Sequence, residues 1–138
     1  MTYSRWIEMN IPTTTFQSKQ IVYVGGTPRL VATAQAKRAK KEIEKHFAYN
    51  KPNAPIRGQI TVTLCFYFPA PKSHNWKKAG REFADKTTKP DIDNLCKGFI
   101  DAMVATGWIE NDQSICSLHA TKYMHQGLRG VHCMVEAK

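Results

Sequence analysis

Apolar residues recur along this chain with two different periods, and the change of period divides it into strands and helices. Residues 3–10 alternate loosely and lead to Pro12, which predicts a strand. Gln20-Ile21-Val22-Tyr23-Val24 is rich in β-formers and stops at Gly25-Gly26, a turn signal. From about Leu30 to Tyr49 the period lengthens. Ala32, Ala36, Ala39, Ile43 and Phe47 recur at three- and four-residue spacing with bases between them, which predicts a helix ended by Asn50-Lys51-Pro52. Residues 59–68, Gln-Ile-Thr-Val-Thr-Leu-Cys-Phe-Tyr-Phe, form the clearest strand, closed by Pro69. Residues 69–90 are polar, and a loop of that length implies function or mobility; order is expected only with substrate bound.

The helical period returns at Asp91 and runs to about Thr106. Ile92, Leu95, Phe99 and Met103 define an apolar face, while Asp93, Lys97 and Asp101 fall at i, i+4 and i+8 on a polar one. Gly107 stops this helix, and Glu110-Asn111-Asp112 forms a turn. Residues 114–123 and 130–136 then predict two strands joined through Gln126-Gly127 as a hairpin. Together these segments predict one small α+β domain over residues 1–138, with a mixed sheet of about four to five strands packed on two main helices.

Length and composition agree with that picture. The 138 residues suit a single domain with a modest core, and a hydrophobic fraction of 42% argues against disorder. No apolar run approaches the roughly 18 residues that span a bilayer, and the first residues lack a signal peptide's apolar stretch, so a cytoplasmic location is expected. Cys65, Cys96, Cys116 and Cys133 form no Cys-x-x-Cys pair and have no histidine at zinc spacing, which predicts free, mostly buried thiols. His46, His74, His119, His125 and His132 are scattered and suit surface or packed roles.

Charge adds a partner. The formal net charge is +9, which puts nucleic acid first and an acidic membrane surface second. Residues 29–51 carry a net +5 and residues 69–90 a net +4, so two segments hold the whole excess. Each is a solvated face if taken alone; flanking an acidic cluster, they point to phosphate contact through Lys37, Arg38, Lys41, Lys72, Lys77, Lys78, Arg81, Lys86 and Lys89.

The acidic cluster lies in residues 89–115. A hard divalent cation such as Mg²⁺ takes oxygen ligands and keeps several waters, so two or three carboxylates suffice. Asp91 and Asp93 sit at the predicted helix start, where unpaired N–H groups orient carboxylates and phosphates, and Asp112 lies in a turn that strand pairing can return to the same place. Such a site polarises a phosphoryl oxygen and activates a water for phosphodiester hydrolysis, with Lys97 one turn from Asp93 to stabilise developing charge. The same residues also suit structural duties. Asp91 or Asp93 caps the helix, Lys97 bridges Asp93 and Asp101, and Asp112 makes the turn.

Lys89-Pro90-Asp91-Ile92-Asp93-Asn94-Leu95-Cys96-Lys97, followed by Asp101-Ala102 and Asp112-Gln113-Ser114-Ile115, resembles the RusA family of crossover junction endodeoxyribonucleases. These Holliday junction resolvases are often encoded by prophages, so the resemblance implies a bacterial or phage origin. It further implies a homodimer that nicks two symmetrically placed strands of a four-way DNA junction, with Mg²⁺ or Mn²⁺ and no organic cofactor. By position, Asp91, Asp93 and Asp112 match the family's metal-binding aspartates and Lys97 its catalytic lysine. Asn94 and Asp101 match recurrent motif positions. One departure stands out: many members have two adjacent aspartates where this chain has Asn111-Asp112, and Glu110 is a candidate to compensate. Two other readings stay open, a metal-dependent nuclease for other branched or single-stranded DNA and a non-catalytic DNA-binding module.

Overall fold

The computed structural model describes residues 1–13, 18–72 and 83–138. Its elements in chain order are β1 (Thr2–Glu8), β2 (Lys19–Val24), β3 (Thr27–Ala32), α1 (Ala34–Asn50), β4 (Ile60–Pro69), β5 (Phe83–Asp85), α2 (Ile92–Thr106), a 3₁₀ turn (Asp112–Ser114), β6 (Ile115–His125) and β7 (Gly130–Ala137). Five strands form one mixed sheet in the order β1-β7-β4-β6-β5, and β2 and β3 form a separate two-stranded sheet. The expected α+β architecture is present, with two helices of the predicted period.

β4 explains why the sheet is built this way. Ile60, Val62, Leu64, Phe66 and Phe68 are all buried, alternating with half-buried residues on the opposite face. This strongly apolar strand takes the centre, pairing parallel to β6 and antiparallel to β7. The expected β6–β7 hairpin is therefore corrected. The turn at Gln126-Gly127 exists, with the Gly127 and Leu128 amides donating to His125 Nδ1, but β4 lies between the two strands it joins.

The first helix also begins later than its periodicity suggests. Residues 27–32 pair with residues 19–24 across the Gly25-Gly26 turn. Thr33 then caps α1, its hydroxyl accepting from the Ala36 amide at 3.2 Å. In the basic 69–90 segment, β5 replaces part of the expected loop, pairing Phe83 with His125 and Asp85 with Tyr123. The expectation of mobility, where it falls on residues 73–82, lies outside the described residues.

The core lies where both helices meet one face of the sheet. Phe99 of α2 packs on Phe47 of α1 at 5.5 Å and on Phe66 of β4 at 5.0 Å. Trp108 stacks 5.2 Å from Phe47. Burying each such ring is worth about 2–3 kcal/mol. Among the described residues no helix is long and apolar enough to cross a membrane. All four cysteines are free; Cys96 and Cys133 are buried and Cys65 is half-buried, but Cys116 is exposed, against expectation. Burial pushes the Cys133 thiol far above its ordinary range.

Candidate nucleic-acid interface and acidic face

The acidic face is held by two local devices. The first is at the start of α2. Pro90 is buried, and the Lys122 ammonium on β6 donates to the Thr88 carbonyl at 2.8 Å and the Pro90 carbonyl at 2.7 Å. The approach to the helix is thus tied to the sheet. Asp91 follows at the N-cap position, with extended backbone, and its carbonyl accepts from the Leu95 amide at 3.1 Å. Its carboxylate makes no capping hydrogen bond. The capping role considered for Asp91 is not used, so that side chain remains available to a ligand. Asp93, in the first turn, is exposed. Burial, and after it the Asp93 carboxylate, raises the Cys96 thiol beneath it.

The second device fixes Asp112. Gly107 ends α2 in the left-handed conformation at φ 87°, its amide reaching back to the carbonyls of Met103 and Val104. Trp108 and Ile109 are then driven into the core. The Trp108 indole donates to the Phe47 carbonyl at 2.8 Å, and the Ile56 amide donates to the Trp108 carbonyl at 2.9 Å. Glu110 pairs with Arg57 at 3.4 Å, which occupies the residue considered as a substitute for a missing aspartate. The Ser114 hydroxyl donates to Asn111 Oδ1 at 3.2 Å, closing the turn that presents Asp112 to solvent.

Beside the second device runs an open cleft of about 400 Å³ lined by Lys97, Ile100 and Asp101 of α2, by Asp112, and by residues 115–118 at the start of β6; Asp91 and Asp93 are not among the residues that line it. The structure thus brings Asp112 beside Lys97 and Asp101. Lys97 Nζ lies 4.0 Å from Asp101, with both side chains about half exposed, so this pair is weakly held and free to exchange partners. Asp93 stands one helical turn, ~6 Å of rise, from Lys97, and Asp91 precedes it. Asn94 is half-buried on the same turn.

A hard divalent cation suits these exposed carboxylates by donor chemistry. Among the described residues, no three His, Cys, Asp or Glu side chains are grouped so as to hold a metal ion, so Asp91, Asp93 and Asp112 do not form a ready-made ligand set. Mg²⁺ commonly binds through one or two carboxylates plus substrate phosphates, so an open set of this kind fits it without a closed cage.

Of the basic residues, Lys37, Arg38 and Lys41 are exposed on α1, away from its buried Ala36, Ala39, Ile43 and Phe47. Lys72 and Lys89 are exposed as well. Lys86 is half-buried: its ammonium donates to Thr88 at 2.9 Å and lies 5.1 Å from the centre of the Phe68 ring. Burial, and then the Lys122 ammonium, lowers its pKa from the ordinary lysine value. Lys77, Lys78 and Arg81 lie outside the described residues. Sequence reasoning missed Lys122, Cys116 and Ser117. The last two directly follow the acidic motif, so extending it by two residues would have found them. Nothing local marks Lys122, because its partners are backbone carbonyls 32 and 34 residues away.

Comparison with known proteins adds to this geometry. The family model described as Endodeoxyribonuclease RusA matches residues 11–136. A Bacillus subtilis (strain 168) protein carrying the name "Uncharacterized protein YqaN" is 30% identical over 95 residues, covering 65% of this chain. The match covers 66% of that relative, so the chain spans just under two thirds of its length.

Proposed function

Because this chain belongs to the endodeoxyribonuclease RusA family, whose model matches nearly its whole length, we propose that it resolves four-way DNA junctions by paired, metal-dependent nicks. The observation that carries this reading is the open acidic face of α2, set in a strongly basic chain whose family cuts DNA. Asp91, Asp93 and Asp112 would hold Mg²⁺ or Mn²⁺, with substrate phosphate oxygens completing the coordination. The cation, when bound, supplies Lewis-acid polarisation of the phosphoryl group and an acidified water.

The chain's own residues do the rest. The exposed bases of α1 and of the 69–90 segment hold the DNA backbone, and Lys122 keeps the start of α2 fixed to the sheet. Lys97 leaves Asp101 to meet charge that develops on the phosphate, and donates a proton or hydrogen bond to the departing oxygen. Asn94 and Asp101 steady that face. Two symmetric cuts require two sites, so we assign a homodimer as the acting form. A bacterial or phage cytoplasm suits such an enzyme.

The test uses a synthetic four-way junction, with flap and linear duplex as competitors and Mg²⁺ or Mn²⁺ as the metal. Paired nicks on the junction arms are expected. Asp93→Asn is expected to remove nicking, by about a thousandfold or more in rate, while junction binding persists. Folded wild-type protein that nicks no substrate with either metal would overturn the nuclease reading. Preferential cutting of flaps would move the substrate to another branched DNA.

A further inference from the structure

Two lysines meet where the sheet hands the chain on to α2. The Lys86 amide, just after β5, donates to the Lys122 carbonyl at 3.0 Å, so the backbone fixes the two residues side by side. Both side chains lie on the helix-bearing face of the sheet. Lys122 stands opposite the buried Phe66, and the Lys86 ammonium lies 5.1 Å from the centre of the buried Phe68 ring. Both lysines are half-buried, and both reach Thr88: Lys86 donates to its hydroxyl at 2.9 Å and Lys122 to its carbonyl at 2.8 Å. Lys122 also bonds the carbonyl of Pro90, the residue before Asp91.

Packing alone does not account for this pair. Partly desolvated charges are normally matched by opposite ones, because burial penalises an uncompensated charge. Among the described residues the ion pairs are His46–Glu42, Arg57–Glu110 and Lys97–Asp101, so neither Lys86 nor Lys122 is matched by a carboxylate. Asp85 is next to Lys86 in the chain, but its pairing with Tyr123, which stands beside Tyr67, sets it on the opposite face of the sheet. Burial, and after it the Lys122 ammonium, works against charge on Lys86. Each ammonium has three donors. Lys122 spends two on carbonyls and Lys86 one on a hydroxyl, which leaves N–H groups on both. Two adjacent cations with free donors call for an anion that offers several oxygens.

We infer that Lys86 and Lys122 together clasp one phosphodiester group of the DNA strand, next to the stretch that Asp91 and Asp93 address, an inference that rests on DNA being the substrate. Charge selects the ligand. A phosphodiester presents two unesterified oxygens to the two ammoniums and supplies the negative charge that the pair lacks. Position selects the place on the strand. Lys122 touches the residue before Asp91, so a phosphate held here is a near neighbour of one at the start of α2. Contacts of this kind set register rather than read sequence. The clasp holds the strand in place against the repulsion of the neighbouring carboxylates.

The experiment measures binding of the full-length chain to a fluorescent four-way junction in EDTA, so that affinity is read apart from cutting. Single phosphates along one strand are replaced in turn by neutral methylphosphonates. Wild type is compared with Lys86→Met, which keeps the contact with Phe68, and thermal melts verify folding. Wild type is expected to lose about tenfold in affinity when one particular phosphate is neutralised. Lys86→Met is expected to lose about tenfold on the unmodified junction, and less than about twofold more when that same phosphate is neutral. Its plot of log affinity against log salt should be shallower by about one. A folded Lys86→Met protein that binds the unmodified junction as tightly as wild type would overturn the clasp. So would a loss that adds equally to every methylphosphonate, which would reduce Lys86 to general charge. A flat scan in wild type, with inorganic phosphate raising the melting temperature of wild type but not of Lys86→Met, would assign the pair to a free anion and overturn the strand contact. Position-specific coupling in a wild type that nicks no junction with Mg²⁺ or Mn²⁺ would overturn the nuclease reading and leave the clasp standing.

Discussion

Lys122 illustrates what a single residue does for this fold. Its ammonium satisfies two carbonyls of the segment that delivers Asp91 and Asp93, and it also raises the cost of charging Lys86 nearby. Replacing it by methionine keeps the stem and removes three donors. The expected loss is about 1–2 kcal/mol of stability, since one of its two bonds is solvent-exposed and the freed carbonyls can find water. Nicking should fall further than stability, because the start of α2 loses its tie to the sheet. Urea unfolding and junction cleavage on the same variant check both halves. Lys122→Arg should restore stability but not full activity, since a fork does not reproduce the two converging bonds of an ammonium. Residues of this kind are invisible in a sequence. Asp91, Asp93, Lys97 and Asp112 could be proposed from the sequence because the continuous string that holds them resembles a family motif. Lys122 acts only through carbonyls that chain pairing brings to it.

At the scale of elements, most periods were legible and most neighbours were not. The 3.6-residue period of α1 and α2 and the dense β-formers of β4 report burial directly. The hairpin β2–β3 is almost wholly exposed, so its second strand left no alternation to detect. Strand order is a matter of non-local pairing, and the separation of β6 from β7 by β4 followed from no local signal. Interlocking of elements has a measurable consequence at the C-terminus of α1. A helix leaves its last carbonyls without intrahelical donors. Here the Trp108 indole serves Phe47, the Tyr3 hydroxyl serves Asn50 at 2.6 Å, and the Asn50 amide serves His46. Trp108→Phe should therefore cost about 2–3 kcal/mol, the sum of an orphaned buried carbonyl and a smaller ring in a fully buried space. Gly107→Ala should cost about 1 kcal/mol, from the left-handed backbone alone, because a Cβ there meets nothing within 4 Å. Thermal melts separate the two. A Trp108→Phe variant as stable as wild type would mean the carbonyl finds another donor.

For the whole molecule, the arrangement of charge matters more than its sum. With DNA as the proposed substrate, the net charge of +9 favours binding, whereas the exposed carboxylates of Asp91, Asp93 and Asp101 at α2 would oppose any phosphate drawn in beside them. Without a cation those groups repel. Two like charges about 4 Å apart in water cost ~1 kcal/mol, and screening at 0.1 M salt acts over about 10 Å. Asp93→Asn should accordingly bind a four-way junction about two- to fivefold more tightly than wild type in EDTA at low salt. Adding Ca²⁺ should erase the difference, since an ion on the wild-type carboxylates neutralises what the substitution removes. Raising the salt should shrink it as well. Glu136→Gln is the control: it changes net charge by the same amount from an exposed position at the far end of β7, and should leave junction affinity unchanged. If Glu136→Gln tightened binding as much as Asp93→Asn, net charge alone would govern affinity, and the acidic face would have no special proximity to phosphate. If Asp93→Asn had no effect with or without Ca²⁺, the DNA would not pass over α2, and the catalytic assignment of Asp91, Asp93 and Asp112 would fall with it.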